Sequence, residues 1–301
     1  MRHFTLVLLM AVTMLAGPAL AQPAPPKLSY AGKTVLVTGS TDGLGRELAL
    51  ALAADGAHVI VHGRNAERGK AVVAEITRGG TGSARFYAAD FSSLQAVRDF
   101  ADAVARDYLR LDLLVNNAGV AYTGDQPRRT SQDGHELQFA VNYLAGWVLV
   151  NRLRPNLAAA APARIVNVSS GSASAIDFDD VMLEKPGAHG RGYGQSKLAQ
   201  VTMTVALAPA FAKDGITMIA LHPATMMDTT MVRGLGVTPR ASVDEGRDHV
   251  MGLITAGQLQ AGAFYIDGKP ADTRDPQPQD PAARARLLEL SARLTGVPLA
   301  Q

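Results

Sequence analysis

Thr34-Val35-Leu36-Val37-Thr38-Gly39-Ser40-Thr41-Asp42-Gly43-Leu44-Gly45 joins a short apolar run to a glycine-rich turn, and an Ala/Leu-rich segment to Ala54 follows at once. The run is β-branched and bounded by glycines, so it reads as a buried strand. The segment from Leu44 to Ala54 reads as a helix stopped by Asp55-Gly56. A glycine turn between a strand and a helix is the setting a dinucleotide site requires. Glycine permits the tight bend, the approach of backbone to a pyrophosphate, and close helix–strand packing. The pyrophosphate would then meet the helix N-terminus. Candidate cofactor residues here are Thr38, Gly39, Ser40, Thr41, Gly43, Leu44 and Gly45. A glycine turn that binds nothing is the plainer alternative, and the flanking strand and helix argue against it.

Outward from this unit the same alternation repeats. Strands are expected at 58–61, 84–88, 111–115, 164–168, 216–221 and 263–266, and helices at about 66–78, 94–107, 134–156 and 192–213. Strands alternating with helices imply βαβ units, hence an α/β fold with a parallel sheet flanked by helices on both faces in a single domain. The segment 272–281 is rich in Pro, Asp and Gln and reads as a linker to a terminal helix around 282–294. The expected organisation is a leader over 1–21, a linker over 22–32, the α/β domain over 33–270, and a C-terminal extension with its helix over 271–301.

The chain has 301 residues, 47% hydrophobic and 19% charged, enough apolar material for a sizeable core. A formal net charge of +2 gives no support for nucleic-acid binding. With no cysteine, disulfides, thiolate nucleophiles and Cys-based zinc sites are excluded. The histidines show no HExxH-type spacing, so no metal is expected. At the N-terminus, Arg2 and His3 precede an apolar run from Phe4 to Ala16, then Gly17-Pro18 and Ala19-Leu20-Ala21. That is the layout of a signal peptide with an A-x-A site. The run is short against the roughly 20 residues of a membrane span, so export with cleavage after Ala21 is expected over an uncleaved anchor.

The second strand runs out as Val61-His62-Gly63-Arg64. An acidic residue there would bind the ribose 2′-hydroxyl of NAD. None is present, and the Arg64 guanidinium is suited to a 2′-phosphate, so NADP is expected over NAD. Arg46 could assist, or serve as an ordinary surface helix residue. Further on, Gly192-Tyr193-Gly194-Gln195-Ser196-Lys197 sets Tyr193 and Lys197 on one helix face. An ammonium ~4 Å from a phenol favours the phenolate by ~4 kcal/mol at an effective dielectric of about 20, about three pKa units, with burial opposing. Such a tyrosine could serve as an acid/base near neutrality.

Taken together, several segments resemble the short-chain dehydrogenase/reductase family: the turn at 38–45, Asp90 after Ala89, Asn116-Asn117-Ala118-Gly119, Asn142, Val168-Ser169-Ser170, and Tyr193 with Lys197. They span roughly residues 33 to 230. The resemblance implies a Rossmann-type doubly wound sheet and an NADP-dependent oxidoreductase moving a hydride between cofactor and a secondary alcohol, ketone or aldehyde. It also implies roles: Tyr193 as acid/base, Lys197 on the nicotinamide ribose, Ser170 on the substrate oxygen, Asn142 supporting a proton-relay water, Asp90 at the adenine, and Asn117, Ala118 and Gly119 along the cofactor cleft. Ser169 could instead be a strand-end residue capping the loop. The long interval between Ser170 and Tyr193 and the segment Ser131 to Asn142 resemble the retinol-dehydrogenase-like branch, which points to a hydrophobic substrate. Two departures stand out: His222-Pro223-Ala224 replaces the usual Pro-Gly, and nicotinamide contacts from Thr225 or Thr229 stay open.

Met226, Met227, Met231 and Leu235 could form an apolar lid or pack as an ordinary helix. The helices at 134–156 and 192–213 could bury a second copy of the chain or pack on their own sheet. The alternative to an enzyme is a catalytically idle protein that binds a nucleotide or a partner. The combination of Asn142, Ser170, Tyr193 and Lys197 argues against it, since binding alone does not require all four.

Overall fold

The computed structural model describes Met1, residues 27–124 and residues 127–299. Residues 2–21 of the expected leader, its cleavage point, and residues 22–26 of the expected linker lie outside the described residues. The chain runs β1 (Thr34–Val37), α1 (Gly43–Ala54), β2 (His58–Gly63), α2 (Ala66–Gly79), β3 (Ser83–Ala88), α3 (Leu94–Asp107) and β4 (Leu113–Asn116). It continues through α4 (Leu137–Phe139), a π turn (Ala140–Leu144), α5 (Ala145–Arg152), α6 (Arg154–Ala159), β5 (Ala163–Val168), α7 (Gly192–Ala212) and β6 (Ile216–His222). The last elements are α8 (Thr230–Gly234), α9 (Val243–Thr255), β7 (Phe264–Ile266), β8 (Lys269–Ala271) and α10 (Pro281–Thr295).

The strands form one sheet in the order β3-β2-β1-β4-β5-β6-β7-β8. All neighbours are parallel except β7 and β8. The winding reverses between β1 and β4, and such a reversal opens a crevice at the C-terminal ends of the strands. Helices cover both faces, which is why β4 and β5 are buried along their whole length and β1 from Val35 on, rather than at alternate residues. Val35, Val37 and Val59 pack on one face with Leu48 and Leu52 of α1 and Val250 of α9. Leu36, Ile60 and Leu114 pack on the other with Phe100, Trp147, Phe211 and Leu287. Side chains that cap orphan amides start several helices: Asn65 accepts from Arg68 N, Ser93 from Ala96 N, and Ser242 from Glu245 N.

Three expectations are corrected. The single helix expected over 134–156 begins only at Leu137, because Gly134 has φ +82° and Glu136 caps the start by accepting from the amides of Gln138 and Phe139. It is then broken at Leu153, ahead of Pro155 at the start of α6. The strand expected last is followed by β8, which turns back antiparallel. The segment 272–281 is not a free tether: the Gln277 side chain accepts from Ile176 N at 2.7 Å and donates to Ile176 O at 2.9 Å. Beyond it, α10 is fastened by Tyr143 to Ser291 at 2.6 Å and by Trp147 Nε1 to Val297 O at 3.0 Å.

Arg164 closes the other face. It is 7% exposed and donates to the carbonyls of Leu253, Ile254 and Ala256, the unsatisfied C-terminal end of α9. Arg164→Leu removes three charge-assisted hydrogen bonds, with Leu253 O keeping the Ala256 amide and Ile254 O keeping the Tyr30 hydroxyl. It should cost about 3 kcal/mol, or roughly 6–12 °C in thermal melting.

Candidate active site

A cleft of about 1200 Å³ opens at the C-terminal ends of the strands. It is bordered by Gly39, Thr41, Gly43, Leu44, Gly45, Arg64, Asp90, Asn117, Ala118, Gly119, Ser170, Tyr193 and Lys197. The other candidates stand behind this lining. Thr38 Oγ1 accepts from the amides of Asn117 and Ala118, each at 3.0 Å. Ser40 Oγ donates to Val37 O at 2.7 Å. The Asn142 amide grips Val120 at both ends, accepting from its N–H at 2.7 Å and donating to its C=O at 3.0 Å, and it also donates to Ser196 at 3.0 Å. Asn142 lies in the π turn, a distortion that often marks functional sites. Arg46 faces away, paired with Glu47 and Glu75.

At the phosphate end, glycine is required by contact. A Cβ on Gly39 would stand 2.9 Å from Ala118 Cα, and one on Gly45 would collide with the Gly39 carbonyl and the Asn117 amide. Asp42 caps α1, and its charge is offset by Arg68 at 3.1 Å. Arg64 forms no ion pair among the described residues and borders the cleft where β2 ends. The turn, the helix N-terminus and an unpaired guanidinium together suit a dinucleotide phosphate.

At the chemical end, Ser169 and Ser170 follow β5 directly, and the first two turns of α7 deliver Tyr193 and Lys197. Ser169 Oγ donates to Lys197 O at 2.8 Å, tying strand to helix. Ser170 Oγ accepts from Ser172 N at 3.1 Å, and its side chain lies beside the Tyr193 hydroxyl. Lys197 Nζ donates to Val168 O at 2.8 Å and to Gln200 Oε1 at 3.1 Å, and lies 5.6 Å from the centre of the Tyr193 ring. The charges differ from the helix-spacing argument. Burial raises the Tyr193 pKa, with the Ser170 hydrogen bond opposing. Burial also lowers Lys197 to about 7, so at neutrality the ammonium is only partly charged.

The other half of the cleft has apolar walls from Met226, Met227, Met231, Leu235 and Phe264, with Thr273 and Arg274 arriving from the C-terminal segment. Met226 has φ +50°, a strained conformation for a side chain of its size. His62 and the C-terminal segment were not anticipated. A histidine in an otherwise apolar strand was the signal for the first, and nothing in composition marked the second.

The sequence profile of the short chain dehydrogenase family matches residues 33–238. The chain belongs to the short-chain dehydrogenase family. Among its relatives in that family, mouse (Mus musculus) retinol dehydrogenase 13 is 35% identical, over 100% of this chain and 96% of the mouse protein. A short-chain dehydrogenase from Burkholderia cenocepacia J2315, solved in complex with NADP, superposes with a TM-score of 0.65 at 30% identity, covering 80% of this chain and 98% of that one. The Pseudomonas aeruginosa RhlG/NADP complex superposes with a TM-score of 0.65 at 26% identity, covering 80% and 96%. This short-chain dehydrogenase is therefore an NAD(P)-dependent oxidoreductase acting on CH–OH and carbonyl groups, and the idle-protein alternative draws no support. Among the described residues no helix is long and apolar enough to cross a membrane, and no cluster of His, Asp or Glu could hold a metal.

Proposed function

We propose that this short-chain dehydrogenase moves a hydride between NADP(H) and a secondary alcohol, ketone or aldehyde with an apolar body. The observation that carries the reading is that half-buried Tyr193 stands beside Ser170 in a cleft whose far end holds Arg64, which forms no ion pair among the described residues. The nicotinamide supplies or accepts the hydride. The protein's own part is the proton and the geometry. Burial keeps the Tyr193 hydroxyl protonated at neutral pH, so it can donate to a carbonyl oxygen as that oxygen gains charge. Ser170 takes the Ser172 amide on its lone pair, which leaves its own O–H to bond the same oxygen. Lys197, titrating near neutrality within reach of the tyrosine ring, is suited to hold the nicotinamide ribose and to resupply the proton. Asn142 supports that route by fixing Val120 against the π turn. Asp90 at the end of β3 would meet the adenine. Asn117, Ala118 and Gly119 would face the middle of the cofactor, with Thr38 and Ser40 holding the turn from behind. The methionine-rich wall, and the retinol in the mouse relative's name, favour an apolar substrate.

Fluorescence titration with NADPH and NADH tests the cofactor half. NADPH should bind more tightly, and Arg64→Ala should narrow the preference by about tenfold, one charged contact to the 2′-phosphate. Equal binding of both cofactors by the unaltered protein would refute Arg64 as the phosphate reader.

A further inference from the structure

β2 reads His-Val-Ile-Val-His-Gly, and its second histidine is 3% exposed near the C-terminal end of the strand, behind the cleft. His62 Nδ1 accepts the Gly39 N–H at 3.0 Å, and Nε2 lies 3.2 Å from the Ala89 carbonyl oxygen. A ring nitrogen that accepts a hydrogen bond carries no proton, so this pair of contacts selects the neutral tautomer with its hydrogen on Nε2. Burial works the same way, holding the imidazole pKa down to about 3. A second proton would aim Nδ1–H at the Gly39 N–H, donor against donor. The ring is seated against Phe91 at 4.1 Å between centroids and 20° between planes, and against Phe100 at 4.8 Å. The backbone adds to the grip: Ser40 N donates to His62 O at 2.9 Å, and His62 N donates to Ser40 Oγ at 3.0 Å.

His62 thus touches two successive residues of the glycine turn and the residue that precedes Asp90. Gly39 is held at φ +65° with no room for a Cβ against Ala118, so the turn has little freedom once its amide is fixed. We propose that His62 is a positioning residue for the cofactor, its neutral ring locking the glycine turn to the ends of β2 and β3 so that the phosphate and adenosine surfaces are formed before the cofactor arrives. A preformed surface loses less ordering entropy on binding, and the benefit falls on cofactor affinity rather than on the chemical step. The inference rests on the cofactor reading above.

The test uses the full chain and the variants His62→Leu and His62→Asn, with NADPH affinity by fluorescence titration and steady-state kinetics. Unaltered protein that fails to bind NADPH would count against the cofactor reading itself. Leu keeps apolar volume and loses both hydrogen bonds. It should raise the Kd and KM for NADPH by about tenfold, with kcat at saturating NADPH within about threefold of the unaltered enzyme. Asn places Oδ1 where Nδ1 was but loses the ring stacking, and it should recover most of the affinity. NADPH binding by the Leu variant equal to that of the unaltered enzyme overturns the proposal, as does an Asn variant no better than Leu, since ring packing would then be the whole effect. Should neither variant fold, long-range 1H–15N correlation spectra of the unaltered protein decide. A neutral Nε2–H ring from about pH 5 to 8 supports the proposal, and an Nδ1–H tautomer or a titration in that range overturns it.

Discussion

Tyr193→Phe should lower the rate of carbonyl reduction on the order of a thousandfold and leave NADPH affinity within about twofold. The substitution removes one oxygen and keeps the ring, so the packing of α7 against β5 is retained. What disappears is the hydroxyl proposed as the proton donor, beside Ser170. A positioned general acid contributes about 10²–10⁴ in rate, or roughly 3–5 kcal/mol of barrier. Ser170 remains to polarise the carbonyl, so a residual rate above the uncatalysed one is expected. The pH profile supplies the sign. On the proposed mechanism the active form for reduction is the protonated phenol, whose pKa burial raises above its ordinary value, so reduction by the unaltered enzyme should not rise between neutrality and pH ~10 on account of Tyr193 ionising. The Phe variant should lose the tyrosine limb of the profile altogether. Single-turnover reduction with saturating NADPH measures both, and a variant that keeps more than about a tenth of the rate would remove Tyr193 from the chemistry.

The protonation states were not legible in the sequence, although the residues that carry them were. Helix spacing alone places Tyr193 and Lys197 together, and a Coulomb estimate at fixed separation then favours the phenolate. In the fold, Lys197 is 4% exposed, its Nζ is engaged by Val168 O and Gln200, and its own pKa falls to about 7. Desolvation depends on what packs around a group from distant segments, here Val168 of β5 and Gly119 after β4, and periodicity carries no record of that. The central parallel strands were readable because burial on both faces gives them short apolar runs, such as Val35–Val37, Val59–Val61 and Leu113–Val115. β8 was not, since Lys269-Pro270-Ala271 at the sheet edge has no apolar signal and a proline that forbids a central position. The π turn that sets Asn142 behind the cleft is invisible for a related reason: the helical hydrophobic pattern continues straight through it. His62 shows the same limit from the other side. One polar residue in β2 could be seen, while its partners Gly39 and Ala89 are adjacent only in the sheet.

The glycines give the second large effect, and they separate contact from propensity. In Gly45→Ala a methyl group must enter a space already held by the Gly39 carbonyl and the Asn117 side-chain amide, with the Gly39 carbonyl carbon 2.9 Å away. Neither neighbour is free to yield. Asn117 Nδ2 donates to Thr38 O at 2.9 Å and to Gly39 O at 3.3 Å, and the Gly39 amide is fixed by His62. The turn must therefore shift at the point proposed to meet the pyrophosphate. NADPH affinity should fall about a hundredfold or more, equivalent to ~2.7 kcal/mol, and overpacking should cost about 1–3 kcal/mol of stability. Gly252→Ala, in the exposed interior of α9, is the matching control, because nothing lies within 4 Å of the added Cβ. There the same methyl group should raise stability by about 0.5–1 kcal/mol through helix propensity and leave cofactor binding unchanged. Thermal melting with and without NADPH measures both variants. Cofactor affinity retained in Gly45→Ala would mean that the turn adjusts without consequence, and the close packing of Gly39, Gly45 and Asn117 would then have no part in holding the phosphate.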